Sequence, residues 1–385
     1  MFSRRAALLG MMASLAATPA LAQAAPNRLA NRLNALALRL LSAQAARGVN
    51  IGVSGLSLAE ALAPLAPAAR GEAADALASL LGRRSVAEVA ALTRNFNDLS
   101  SLRRATALWL PQRRPPRASY LTAIAPLGVS IEQVAFGSPE TLERINGWVA
   151  ERTGGMIPRL LDRVPADASL VITAAMHLAM PWAIAFDAEQ TRPLPFRRSR
   201  ATPIEVPFMH DTRQVSYAQT GRLHAIRIPY RESGFALTLV VPQADQPAET
   251  MAGLLRRGGL GAMLAALSFT DTRVDIAIPR VTLRHGADLV PMLRNGALAP
   301  VFAPDADFRG ATGEAVRITT IRQEVALQWD EAGTEAAAAT AVIGTRAISD
   351  HPRFVADRPF LAFLTHVPSG LQIFSAFIVV PTGGT

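Results

Sequence analysis

An α+β fold follows from three features of the sequence. Segments with helical apolar spacing crowd the first 155 residues, β-rich runs fill most of the remainder, and no change in composition suitable for a linker parts them. The length of 385 residues alone would suggest two or three domains. The missing linker favours one large domain instead. With 50% apolar and 18% charged residues the chain can bury a sizeable core, which excludes disordered and collagen-like classes.

Residues 29–41 repeat Leu and Ala at helical spacing and predict an amphipathic opening helix. Residues 57–63 and 73–81 predict two more, parted by Pro64, Pro67 and Gly71. Residues 105–110 read as a strand that the proline-rich stretch 111–116 ends. Residues 138–153 predict a helix with Ser138 as N-cap and Pro139 at the first helical position. Strand-like runs come next at 169–175, 225–230, 236–242, 273–279, 317–329 and 371–380. Helical stretches at 249–264 and 287–293 interrupt them, and no internal repeat is present.

Several function classes fall away on composition. The absence of Cys excludes a disulfide scaffold, a cysteine nucleophile and any thiolate metal site. The six histidines are scattered without an H-E-x-x-H pattern, and a chain without lysine has no GxxxxGK[ST] loop. Gly52-Val53-Ser54-Gly55 falls one residue short of a G-x-S-x-G elbow. No catalytic residue, metal or cofactor is expected, and the protein reads as a non-enzyme. All 39 basic residues are arginine, giving a net charge of +9. Aromatic residues make up 6% and none interleaves the arginine pairs, so these read as solvated faces and not as a nucleic-acid site.

Residues 1–24 carry Arg4 and Arg5, an apolar stretch over 6–21, and a small-x-small site at Ala20-Leu21-Ala22 or Ala22-Gln23-Ala24. This is the pattern of an export signal, and the expected location is the periplasm or the extracellular space. Ser3-Arg4-Arg5 resembles a twin-arginine signal, although Ala7 stands where such signals usually carry Phe; an ordinary secretory signal is the alternative. Beyond residue 25 no apolar run reaches the roughly 20 residues needed to cross a bilayer.

The segment 331–352, EAGTEAAAATAVIGTRAISDHP, is unusual. Alanine favours helix, yet Thr334, Thr340, Val342, Ile343 and Thr345 favour extended structure, and no apolar stripe would anchor a helix. Small side chains at most positions would let such a segment slip between existing strands without overpacking them. Thr334, Ala336, Ala338 and Thr340 would then face one side of that sheet.

This segment resembles the reactive-loop hinge of the serpins, the serine protease inhibitor family, and the resemblance extends over the chain after the signal. Asn146-Gly147-Trp148-Val149 through Thr153-Gly154-Gly155-Met156-Ile157 is similar to the family's helix ending in T-x-G-x-I. Residues 170–196, with Trp182, Phe186, Thr191 and Phe196 in register, are similar to the family's central-strand region. Val206-Pro207-Phe208-Met209, Ile278-Pro279-Arg280 and residues 301–310 with Asp307 and Phe308 match in order. The last match runs from Phe354 through Asp357-Arg358-Pro359-Phe360-Leu361 to Pro381.

The resemblance implies one serpin domain over 25–385, with a large mixed central sheet, flanking helices and an exposed reactive loop at about 331–352. It implies a suicide-substrate inhibitor: a protease cleaves the loop, which then inserts into the sheet and traps the acylated enzyme. The hinge would comprise Glu331, Gly333, Thr334, Glu335, Ala336, Ala337, Ala338 and Ala339. The reactive bond would be Arg346–Ala347 for a trypsin-like serine protease or Ala347–Ile348 for an elastase-like one. The expected state is a monomer with a protease as its partner. Ser54 and Ser57 match the family's sheet-opening region, but Ala174 and Gln323 stand where the family carries an Asn–His pair. A non-inhibitory binding or chaperone-like serpin is the alternative, and the small-residue hinge argues against it.

Overall fold

The computed structural model describes residues 27–97, 99–199, 202–334 and 351–381. Its helices are α1 (Arg28–Gln44), α2 (Gly55–Leu62), α3 (Gly71–Leu81), α4 (Ser85–Thr93), α5 (Ala118–Ile124), α6 (Pro139–Arg152), α7 (Thr250–Arg257), α8 (Leu260–Ala265), α9 (Val290–Leu293) and α10 (Arg309–Thr312). The first strands are β1 (Ile51–Val53), β2 (Leu102–Pro111), β3 (Ser130–Val134), β4 (Leu170–Leu178), β5 (Met180–Pro181), β6 (Arg192–Phe196), β7 (Ile204–Gln219) and β8 (Leu223–Pro229). The remaining strands are β9 (Phe235–Pro242), β10 (Thr270–Pro279), β11 (Val281–Asp288), β12 (Ile318–Trp329), β13 (Gly333–Thr334), β14 (Arg353–Val355), β15 (Phe360–His366) and β16 (Leu371–Ile378).

These strands form two large sheets and a short pair. A nine-stranded sheet runs β1-β16-β15-β9-β8-β7-β10-β14, with β6 also on β7. A five-stranded sheet runs β11-β12-β4-β2-β3, and β13 pairs with β5. The five-stranded sheet is mixed: β12 and β4 are parallel, while β11 lies antiparallel to β12 and β2 antiparallel to β4. Helix α2 packs against β16 of one large sheet and β4 and β2 of the other, and all eight of its residues are buried.

The caps explain where the expected helices begin. Asn27 Oδ1 accepts from the N–H groups of Leu29 (3.0 Å) and Ala30 (3.2 Å), and α1 buries Leu29, Leu33, Leu36, Leu40 and Leu41 on one face. Ser138 Oγ accepts from Thr141 N–H (3.2 Å) with Pro139 at the first position of α6.

Two expectations need correction. The stretch 249–264 is two helices, because Gly258 (φ +78°) and Gly259 (φ +81°) adopt left-handed backbone between α7 and α8. In the stretch 287–293 only α9 is helical. Ala287 and Asp288 close strand β11, which pairs with β12 from Val281 opposite Trp329 to Asp288 opposite Arg322. Ladder bonds to β12 outweigh the weak helical tendency there. Strand β7 also extends well past the apolar residues 206–209, since its full length is paired on β6, β10 or β8.

Candidate functional site: a strand seam and its hinge

The two parallel strands β12 and β4 meet at a seam, with Ile321 opposite Ile172, Gln323 opposite Ala174 and Val325 opposite Met176. Both strands point toward the same end of the sheet, where β12 leads through Asp330 into the hinge. There Trp182 Nε1 donates to the Asp330 carbonyl (2.8 Å), Trp182 N–H to the Ala332 carbonyl (3.1 Å) and Phe186 N–H to the Glu331 carbonyl (2.8 Å). The chain leaving β12 is thus fastened to the segment just past β4.

Gly333 sits at φ +153°, and a Cβ there would run into the backbone of Met180, Pro181 and Trp182. Only glycine lets β13 lie against β5 at this approach. Thr334 is fully buried opposite Met180, and its Oγ1 lies 2.7 Å from the Tyr230 hydroxyl. Burial pushes the Tyr230 phenol above its ordinary range, so it remains a neutral hydrogen-bonding partner. Its ring stacks on Trp182 at 4.7 Å between centroids.

Glu331 anchors the hinge electrostatically. Arg280 Nε donates to both of its carboxylate oxygens (2.9 and 3.0 Å), and Thr191 Oγ1 donates to Oε1. Burial pushes this carboxyl up, but the bonds from Arg280 and Thr191 outweigh it and hold its pKa below the ordinary value. A lowered carboxylate pKa contributes stability that is fully present above the unfolded value of about 4.3 and lost as pH falls through the folded value. Glu331→Gln is therefore expected to lower the melting temperature at pH 7 by about 2–5 °C. The gap between variant and parent should close as pH falls below about 4. Circular dichroism melts across pH 3–7 check this, and a constant gap would contradict the role of the charge.

Beneath the seam, Ser54 caps α2: its Oγ accepts from Ser57 N–H (3.0 Å) and donates to the Ile373 carbonyl of β16 (2.8 Å). Gln323 grips the same residue twice. Its Oε1 accepts from Ser54 N–H and its Nε2 donates to the Ser54 carbonyl, both at 3.0 Å. Ser57 is buried, and its hydroxyl has no hydrogen-bond partner among the described residues. Ala174 lies across the seam from Gln323 with no polar group to offer, so Gln323 ties β12 to the helix and not to β4.

The structure therefore brings Ser54, Ser57, Ala174 and Gln323 together under the seam, and Glu331, Gly333 and Thr334 at its head. Glu335, Ala336, Ala337, Ala338, Ala339, Arg346, Ala347 and Ile348 lie outside the described residues. Sequence reasoning did not assign roles to Arg280, Thr191, Trp182 and Tyr230. Each is 50 or more positions from its hinge partner, and no local pattern links them. Among the described residues no helix is long and apolar enough to cross a membrane, and no group of three or more His, Asp or Glu could hold a metal.

A family model described as serpin (serine protease inhibitor) matches residues 31–381, and the chain belongs to the serpin family. An uncharacterized serpin-like protein of Thermococcus kodakarensis is 28% identical over 371 residues, 92% of this chain and 86% of that protein. Human Serpin B8 is 29% identical over 252 residues, 63% of this chain and 67% of the human protein. Leukocyte elastase inhibitor of Bos taurus is 29% identical over 250 residues, 62% of this chain and 66% of its own length. The crystal structure of Serpin48 from Tenebrio molitor superposes with a TM-score of 0.81 at 22% identity, covering 92% of this chain and 97% of its own. Uncleaved ovalbumin reaches 0.81 at 19% identity, covering 91% and 99%. These two likenesses establish the fold: a mixed α+β serpin.

Proposed function

We propose that this protein is an exported suicide-substrate inhibitor of a serine protease, acting as a monomer in the periplasm or outside the cell. The observation that carries the reading is the hinge. Gly333 and Thr334 are small, uncharged and seated at the head of a parallel seam, and the sequence continues with Ala336, Ala337, Ala338 and Ala339. A strand entering between β12 and β4 would run antiparallel to both and satisfy two ladders. Because Thr334 leads that strand, the first side chain to enter buries no unpaired charge.

Export rests on the signal pattern of residues 1–24. The choice of protease rests on Arg346, the only basic side chain between Thr334 and His351, which suits a trypsin-like pocket. Ala347 suits an elastase-like pocket, and the similarity to a leukocyte elastase inhibitor keeps that specificity in view. Some homologues of this chain are non-inhibitory, which supports a second reading, a binding or chaperone-like serpin. Incubation with a panel of trypsin-like and elastase-like proteases separates the two readings. The expected result is lasting loss of one enzyme's activity, with a released C-terminal peptide that begins at Ala347 or Ile348 by mass spectrometry. Cleavage in the loop with full retention of every enzyme's activity would favour the non-inhibitory reading.

A further inference from the structure

Helix α2 carries a buried carboxylate away from the hinge. Glu60 is 4% exposed. Its Oε2 accepts from Thr106 Oγ1 at 3.0 Å, and its Oε1 is ion-paired with the Arg104 guanidinium. Both partners belong to β2, and Arg104 Nη2 also donates to Asn97 Oδ1 (2.8 Å). The same helix is held at its other end by the twin bonds between Ser54 and Gln323 of β12.

The two clamps sit on one row of the sheet. Gln323 is opposite Ala174, and Ala174 is opposite Thr106, so β12, β4 and β2 present these three residues side by side. Two strand spacings of about 4.8 Å place β12 and β2 about 9.6 Å apart. Along the helix, the six residues from Ser54 to Glu60 span about 9 Å at 1.5 Å each. The match means that α2 lies across the row as a beam, clamped to β12 at its start and to β2 near its end. The middle position, Ala174, contributes no polar tie, and β4 meets the cap of α2 only through a weak acceptor, Met176 Sδ at 3.5 Å from Ser54 Oγ, so the closed seam is held on this face chiefly through the helix.

Admitting one strand between β12 and β4 would widen the row to about 14.4 Å, while the clamps on a rigid helix stay about 9 Å apart. One clamp must let go. Ser54 is secured to β16 as well as to β12, whereas Glu60 is held by the β2 side that moves away. We propose that Glu60 is a positioning residue whose pair with Arg104 and Thr106 locks the seam shut and sets the rate at which it opens. This lock rests on the loop-insertion reading of the protein.

The test uses a fluorescent synthetic peptide copying residues 334–346, whose uptake by the intact full-length protein reports seam opening. Glu60→Gln is expected to speed uptake by about tenfold or more, because charge-assisted bonds are lost from the closed state alone. Thr106→Val, which keeps side-chain shape, should give a smaller acceleration, and the double variant should be no faster than Glu60→Gln. The melting temperature of intact protein should fall in these variants, while that of loop-cleaved protein stays the same, since the lock is already released there. A fall in both melting temperatures would mark Glu60 as merely structural and overturn the lock. Equal uptake by parent and Glu60→Gln would overturn the lock while leaving insertion standing. Failure of every variant to take up peptide, with no rise in melting temperature on cleavage, would overturn insertion and the lock with it.

Discussion

Cleaving the loop should raise the melting temperature by about 10 °C. Most nicked proteins lose stability or keep it, because a cut adds chain freedom. Here the cut would free the chain beyond Thr334 to enter the seam, which pairs eight positions of β12 with β4. A strand placed between them replaces one parallel ladder with two antiparallel ones. At half of the usual net 0.5–1.5 kcal/mol per hydrogen bond, about ten added bonds contribute roughly 5 kcal/mol. All nine residues of β4 are already buried, so the new strand joins a sheet whose faces are packed. Ala336→Pro should remove much of the gain, since proline in a central strand lacks a ladder donor. Melting curves of intact and cleaved protein, with the proline variant alongside, decide the matter. An equal or lower melting point after cleavage would mean that the loop does not insert.

On the proposed trapping mechanism, Thr334→Arg should leave the protein a mere substrate: cleavage continues and trapping falls below about a tenth of the parent's, because an unpaired buried charge costs several kcal/mol. The structure sharpens this expectation. Thr334 is not exposed in the intact protein; it is already fully buried in the short β13–β5 pair, opposite Met180 and hydrogen-bonded to Tyr230. The arginine therefore also strains the intact state, and its melting temperature should fall. Thr334→Val separates the two effects. It removes the Tyr230 bond while keeping the shape, and should retain trapping. Undiminished trapping by the arginine variant would show that insertion does not pass through this position.

The sequence made some of this legible for local reasons. Asn27 and Ser138 announce α1 and α6 because a capping side chain acts within three residues of itself. The apolar runs that became β4 and β9 stand out because their complete burial leaves little room for polar residues. Strand β11 was hidden, since only its pairing with β12 makes 281–288 extended. Gly333 was visible as a turn residue, but its reason is the backbone of Met180 and Pro181 pressed against it, which needs the fold. The same holds for Gln323 and Ser54, 269 positions apart, and for Glu60, whose partners lie on another strand. A residue type can signal that something polar sits in a core, but only the sheet register shows what it holds.

The most direct test of inhibition by trapping is a denaturing gel of the protein incubated with each trypsin-like and elastase-like protease. For at least one enzyme, the expected result is a band at the summed mass of protease and this protein less the C-terminal peptide released by the cut, one that survives boiling in detergent because the acyl bond remains unhydrolysed. Cleaved protein with no such band for any enzyme in the panel would contradict trapping.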